Sequence, residues 1–277
     1  MSIEASLKTI QKYSSDFEET VVDFSGGRYS IVLLHLVLRA LKKAKVAYID
    51  TTISLPECDR FVQEVCDSWG VDLVTLRRKD TDFWGLVKRW GFPHRRFRWC
   101  MQEFKSVPLR LFNQVHDGPL HLTGTSKYES SIRKKIYDVR GNFHYNYSIR
   151  SFVLHPLLDW TETMIYDYME KNHLPLNPCY KEYYGSGNCY YCPFISSLLY
   201  YTNLARLQHN LFLKIVDAEK AMKKGGGAVY VGKGRVLHLG TAVPRFEPGS
   251  LKGLKLPECE AKAFRSELFS CQKRCLM

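Results

Sequence analysis

Residues Val21–His35 read "VVDFSGGRYSIVLLH", and this stretch decides the fold. A short apolar run of strand formers stops at Ser25-Gly26-Gly27, and a strongly apolar segment begins at Ile31. That is how a strand turning directly into a helix is written. A glycine pair at such a turn lets the backbone approach an anion closely, while exposed N–H groups and the helix dipole supply positive potential. Ser25, Gly26 and Gly27 are therefore candidates for an anion loop, with Ser30 adding a hydroxyl and Arg28 a mobile charge. Glycine turns also serve tight packing alone.

Outward from this turn, "VAYID" (Val46–Asp50) follows a helical segment of crossover length and completes a βαβ unit. In "PECDRFVQEVCDSW" (Pro56–Trp69), Cys58, Phe61, Val62, Val65, Cys66 and Trp69 recur at helical spacing. Cys58 and Cys66 lie on the apolar face and read as small core residues. "VDLVTL" (Val71–Leu76) and "PLHLTGT" (Pro119–Thr125) supply a third and a fourth strand. The expected class is α/β: a doubly wound, mostly parallel sheet with helices on both faces, plus a smaller C-terminal region. Ligands of such sheets bind beyond the carboxyl ends of the strands, where "SGG", "DTT" and "GTS" all fall.

"DWTETMIYDYMEKN" predicts a helix with Asp159 as N-cap and Glu162 completing a capping box. The character of the chain changes near Phe194. A helical stretch to Lys224, a glycine-flanked hairpin over Gly225–Gly240 and a basic, irregular end follow. The expected division is a nucleotide-binding domain with a cysteine site at 1–194 and an extension at 195–277.

The 277 residues carry a formal charge of +12, with 45% hydrophobic and 25% charged residues. No apolar run approaches the roughly 20 residues needed to span a bilayer, and the N-terminus does not read as a signal peptide. A cytoplasmic protein with no membrane partner is expected. The charge favours a polyanionic partner without identifying one. Between Leu76 and Lys105, basic residues from Arg77 to Arg98 alternate with Phe83, Trp84, Trp90, Phe97 and Trp99. That pattern suits stacking on bases, or equally a solvated face with aromatics packed beneath it.

Nine cysteines without a leader argue for metal or redox chemistry in some of them. Cys189 and Cys192 form a C-x-x-C pair followed by Pro193, Cys179 lies ten positions upstream, and Cys100 completes the set. Four thiolates can close a zinc site or hold a [4Fe-4S] cluster, and spacing does not separate these. Cys259, Cys271 and Cys275 remain near the end.

The series "SGGRYS", "IDTTISLPE", "RWCMQEFKSVPL", "GTSKYESSIR", "HPLLDWTETMIYDYM" and "NPCYKEYYGSGNCYYCPF" resembles the phosphoadenosine phosphosulfate (PAPS) reductase family, within the PP-loop ATP pyrophosphatases. It covers roughly residues 18 to 195. The resemblance implies that Ser25, Gly26, Gly27 and Ser30 form a pyrophosphate loop and that Asp50 and Thr51 border the nucleotide. It also implies that Lys105 matches a basic residue after the motif cysteine, while Gly124, Glu129, Ser130 and Arg133 match the glycine-arginine-glutamate-serine segment. Members with this cysteine pattern often carry the cluster, which favours iron over zinc.

Two departures stand out. The family's "SGGxDS" has Tyr29 at its Asp position, and the usual Arg after "G-x" is Ser126, with Lys127 beside it. The family's reductases carry a nucleophilic cysteine near the C-terminus in a pattern like "ECGLH", which "PECEAKAF" and "SCQKRCLM" do not reproduce. The expected function is thus ATP pyrophosphatase chemistry coupled to sulfur transfer onto DNA or RNA, as in DNA phosphorothioation or RNA thiolation. ATP or PAPS, magnesium and a sulfur donor protein are the implied cofactors and partners. A sulfonucleotide reductase and an inactive nucleotide-binding or nucleic-acid-binding module are the alternatives. Loop N–H groups would hold the β- and γ-phosphates, and Lys105 or Arg133 would counter charge on the α-phosphate.

Overall fold

Period-two alternation sorts the strand residues onto two faces. In the computed structural model, which describes residues 2–185, 188–195, 197–222, 229–231, 235–237 and 239, the predicted strands form β1 (Thr20–Asp23), β2 (Lys45–Asp50), β3 (Asp72–Arg77) and β4 (Leu120–Thr123). A hairpin the sequence reading passed over, β5 (Phe143–Asn146) and β6 (Ser151–Leu154), completes a six-stranded sheet of order β3-β2-β1-β4-β6-β5. All neighbours are parallel except the edge pair β5–β6.

The molecule divides into two units, Met1–Asp80 with Cys100–Pro178, and Thr81–Trp99 with Cys179–Met277. This differs from the expected 194/195 boundary, since the second unit begins at Cys179 and takes in the segment from Thr81.

In the first unit, Val22, Val46, Leu120 and Leu122 join a buried core with Ile10 of α1 (Ile3–Ser14), Ile31 and Leu34 of α2 (Arg28–Leu41), Val62 of α3 (Pro56–Trp69) and Ile165 of α8 (Glu162–Lys171). Val21 and Ala47 turn to the opposite face, against Phe112 of α6 (Val107–Val115). Helices on both faces bear out the expected class. Cys58 and Cys66 are buried as expected, and burial pushes the Cys66 thiol up to about 11. His121 points away from Leu120 and Leu122, to the α6 face. There its Nδ1 lies 2.7 Å from Asp23 Oδ1 and its Nε2 2.7 Å from Asn113 Oδ1, so a fully buried imidazole is hydrogen-bonded at both ends.

The predicted cap of α8 shifts by two residues. Thr161, not Asp159, is the N-cap, its hydroxyl accepting from Met164 N–H. Asp159 is drawn off by Lys127, whose Nζ lies 2.6 Å from Oδ1.

The second unit holds α4 (Phe83–Trp90), α9 (Cys179–Glu182), α10 (Leu198–Leu207) and α11 (His209–Ala221). The expected hairpin is present as antiparallel β7 (Val229–Val231) and β8 (Arg235–Leu237). Among the described residues no helix is long and apolar enough to cross a membrane.

Candidate functional site

The first unit carries the loop. Beyond β1, Phe24 N–H still donates to Ala47 O at 2.9 Å, after which Ser25 is exposed and Gly26 turns the chain at φ +72°. A side chain there would be strained by the dihedral and would place its Cβ 2.9 Å from Val62 Cγ2. Gly27 is the N-cap of α2, and no side chain caps the helix start, so the helix presents its positive end toward Ser25. Ser30 Oγ donates to Gly27 O at 2.8 Å and lies 3.3 Å from Ser25 Oγ. The two hydroxyls thus flank the turn.

Gly124 meets this turn from β4. A Cβ on it would fall 2.8 Å from the carbonyl carbon and oxygen of Tyr29. Its missing side chain thereby lets the β4 loop press against the first turn of α2, which is a packing reason for glycine independent of any ligand.

Arg28 is not the mobile charge the sequence suggested. Its side chain is only 2% exposed, ion-paired with Glu162 and donating to Tyr166 Oη at 2.8 Å. The guanidinium also lies over the Tyr29 and Tyr166 rings. A buried guanidinium needs these partners, and they anchor the start of α2 to α8. Tyr29 is half-buried, and burial followed by the charge of Glu129 pushes its phenol far above the ordinary tyrosine range. It stays neutral at any physiological pH.

At the end of β2, the Asp50 carboxylate accepts from Thr52 N–H at 2.7 Å and from Arg77 at 3.0 Å, while Thr51 is buried. Lys105 is exposed on a π-helical turn, Gln102–Ser106, that packs beside β2 and leads into α6. Among the described residues it has no ion-pair partner. Short π turns of this kind recur at functional sites.

Beyond Gly124 the segment is built by capping. Ser126, fully buried, donates to Trp160 O at 2.6 Å and accepts from Tyr128 N–H. The Glu129 carboxylate returns to Ser126 N–H at 3.1 Å. The hydroxyl of Ser130 caps α7 (Ser131–Arg140) by accepting from Arg133 N–H, and Arg133 is paired with Glu129. Glu129, Ser130 and Arg133 are thus brought together, with their charges and caps turned on one another.

Sequence reasoning missed Asn177. Buried in the first unit, its amide donates to Gly26 O at 3.3 Å and to Cys58 Sγ at 3.0 Å, so it fixes the peptide that turns the loop. The signal was an Asn before Pro178 inside the "NPCY" motif. His155 was missed too. It lies just past β6 with Nδ1 2.5 Å from Thr123 Oγ1, and burial, then His144 and Arg133, push its pKa down to about 3.

Cys100 belongs to the first unit and Cys179, Cys189 and Cys192 to the second. Within the second unit, Tyr200 donates to Cys189 O at 3.3 Å. Its phenol is pushed well above the ordinary value by burial, and then by Tyr201, Cys189, Cys179 and Cys192. The three thiols therefore bear on one buried hydroxyl, and sulfur donors suit zinc or iron in kind. Among the described residues, however, no three His, Cys, Asp or Glu side chains are grouped so as to hold a metal ion. The fit to a cluster is one of donor chemistry alone.

The basic aromatic block resolves mostly into packing. Phe83, Phe92 and Trp99 are buried, the ring of Phe83 centred 5.1 Å from that of Trp99 and the ring of Phe92 5.1 Å from that of Tyr191. Arg95 and Arg98 lie over Phe194. Trp90 and Phe97 are exposed.

Residues 19–194 match the family model of the phosphoadenosine phosphosulfate reductase domain. An uncharacterized protein of Methanocaldococcus jannaschii is 31% identical over 184 residues, covering 65% of this chain and 37% of the relative. Sulfate adenylyltransferase subunit 2 of Rhodopseudomonas palustris is 27% identical over 199 residues, covering 63% of this chain and 59% of the relative. The chain thus spans well under two thirds of both relatives. A solved PAPS reductase from Candida auris superposes with a TM-score of 0.50 at 16% identity, over 67% of this chain and 89% of that one.

Proposed function

The chain belongs to the phosphoadenosine phosphosulfate reductase domain family, and from that premise we propose that it binds ATP at Ser25–Ser30 and activates an acceptor for sulfur delivery, with nucleic acid as the acceptor and a sulfur donor protein as the source. The observation that carries the nucleotide site is the pair of glycines at the carboxyl ends of adjacent parallel strands. Gly26 turns the loop at φ +72°, and Gly124 brings the β4 loop onto the uncapped start of α2. This is where an open parallel sheet places its ligand.

In the activating step an acceptor oxygen forms a bond to the α-phosphorus, the bond to the bridging oxygen breaks, and pyrophosphate leaves. The Gly27 region and the Ser25 and Ser30 hydroxyls hold the departing phosphates. Lys105 counters charge at the α-phosphate in preference to Arg133, because Arg133 is already neutralised by Glu129. Asp50 and Thr51 border the nucleoside. A sulfur nucleophile then displaces AMP from the activated acceptor.

Magnesium on the phosphates would lower their charge, and an iron-sulfur or zinc centre on Cys100, Cys179, Cys189 and Cys192 would supply electrons or a path for sulfur. Both stay within the proposal, and no step above runs through either.

Calorimetric ATP binding together with pyrophosphate release, on the parent and on Ser25→Ala and Lys105→Ala, tests the reading. Weaker binding in the first and slower release with near-normal binding in the second are expected. A parent that binds ATP yet never releases pyrophosphate would make the chain a nucleotide-binding module, the reading Tyr29 favours. A parent that binds PAPS but not ATP would make it a reductase.

A further inference from the structure

Helix α7 has no buried residue along its ten positions, although its sequence is amphipathic. Ile132, Ile136 and Val139 form one stripe at helical spacing and are 65%, 40% and 88% exposed. The hairpin that follows continues this surface chemistry, for Tyr145 and Tyr147 are exposed, their rings 5.1 Å apart, and Tyr128 just before α7 is exposed as well. An isolated apolar side chain in water needs no explanation, but an entire helix face of them does.

The charges say what covers it. Between Lys127 and Arg150 six cations stand against the two carboxylates Glu129 and Asp138. Those carboxylates are taken by Arg133, Lys134 and Lys127. Among the described residues, Lys135, Arg140 and Arg150 have no ion-pair partner. A second copy of the chain docked isologously would set this cationic face against itself, which the charges oppose. A polyanion is attracted. Flat exposed rings interleaved with cations are the surface on which unpaired bases stack while phosphates are held.

We propose that α7 and the β5–β6 hairpin form the docking face for single-stranded nucleic acid. This rests on the sulfur-acceptor reading above and adds the place of binding. Arg133 ties the root of α7 to Glu129, and Glu129 to the Ser126 turn beyond Gly124, so a strand held on α7 lies beside the activating loop.

The test is fluorescence anisotropy of labelled 20-nucleotide single-stranded RNA and DNA over a salt series, with ATP binding measured on the same samples. Charge reversal at three exposed positions, Lys135→Glu, Arg140→Glu and Arg150→Glu, should weaken oligonucleotide binding by roughly tenfold or more. It should also flatten the salt dependence by about 0.7 in log–log slope for each phosphate that is no longer neutralised. ATP affinity should be unchanged, since none of the three touches the loop. Tyr147→Ala, at a residue 85% exposed, should weaken binding without changing the melting temperature or the salt slope.

Oligonucleotide binding that survives both variants overturns the proposal, and so does a parent that binds ATP but no oligonucleotide. A sedimentation mass that halves on Ile136→Asp while oligonucleotide binding is unaltered assigns the face to a second copy and also overturns it. Failure of the parent to bind ATP is read separately and removes the nucleotide site.

Discussion

Arg28 shows at a single position how burial settles a question that residue type leaves open. As a letter in "SGGRYS" it is a cation beside an anion loop. In the structure it is closed off by Glu162 and Tyr166, because a guanidinium this buried is stable only when its charge is matched. Removing one partner should therefore cost more than surface chemistry suggests: Glu162→Ala is expected to destabilise the fold by about 3–5 kcal/mol, measured by urea unfolding. His155 gives a pH dependence. Its folded pKa of about 3 lies below the ordinary 6.5, so the unfolded chain takes up its proton first as pH falls. Stability is then lost progressively from about pH 6.5 downward. His144 and His35, whose pKa values are also lowered by burial, add to the same slope. In His155→Asn, which can still face Thr123, stability should change less between about pH 7 and about pH 4 than in the parent. An unchanged acid slope would show that the other histidines carry it. Asn177 and His155 escaped sequence reading for one reason. Each acts through a partner more than thirty positions away in the chain, Gly26 and Thr123 respectively, and no local pattern records such a pairing.

Elements built from local rules were legible, and those that break a rule were not. β1, β2 and β4 announce themselves by apolar runs ending in glycine or polar turns. The β5–β6 hairpin does not, because its connection has no glycine. Arg150 takes the left-handed conformation at φ +56° and the Asn146 side chain closes the turn by accepting from Ser148 N–H, so the usual hairpin signal is missing. The α8 cap was misread because two acceptors, Asp159 and Thr161, stand two residues apart, and only the position of Lys127 decides between them. The Ser126 turn makes a sharper prediction. Family resemblance suggests that arginine belongs at this position, yet Ser126 is fully buried, with its hydroxyl on Trp160 O and its N–H on Glu129. Ser126→Arg must expel a buried cap to place a long cation, so it should lower the thermal midpoint markedly. Ser126→Ala should cost only about 1 kcal/mol, as loss of a cap does. A tolerated arginine with improved ATP turnover would mean that the turn rearranges to the family geometry.

At the scale of the molecule, parallel pairing is what assembles the site. Because β1, β2 and β4 run in one direction, their carboxyl ends bring Ser25, Asp50 and Gly124 to one edge of one sheet, although almost a hundred residues separate the first from the last. Order along the chain therefore revealed the nucleotide side. It could not reveal the cysteine side, where the segments that carry Cys100 and Cys179 fall in different units, nor the role of Cys259, Cys271 and Cys275, which lie outside the described residues. That last question separates the two enzyme classes. A sulfonucleotide reductase needs a thiolate that attacks the sulfonate sulfur, and near the C-terminus only those three cysteines are available. An activating pyrophosphatase needs none of them. Changing all three to serine should leave ATP affinity and pyrophosphate release essentially as in the parent, measured side by side with sulfite formation from PAPS. If the triple variant instead loses a PAPS-dependent sulfite activity that the parent possesses, and the parent never turns over ATP, then the thiolate is the working group and the loop at Ser25–Ser30 holds a sulfonucleotide.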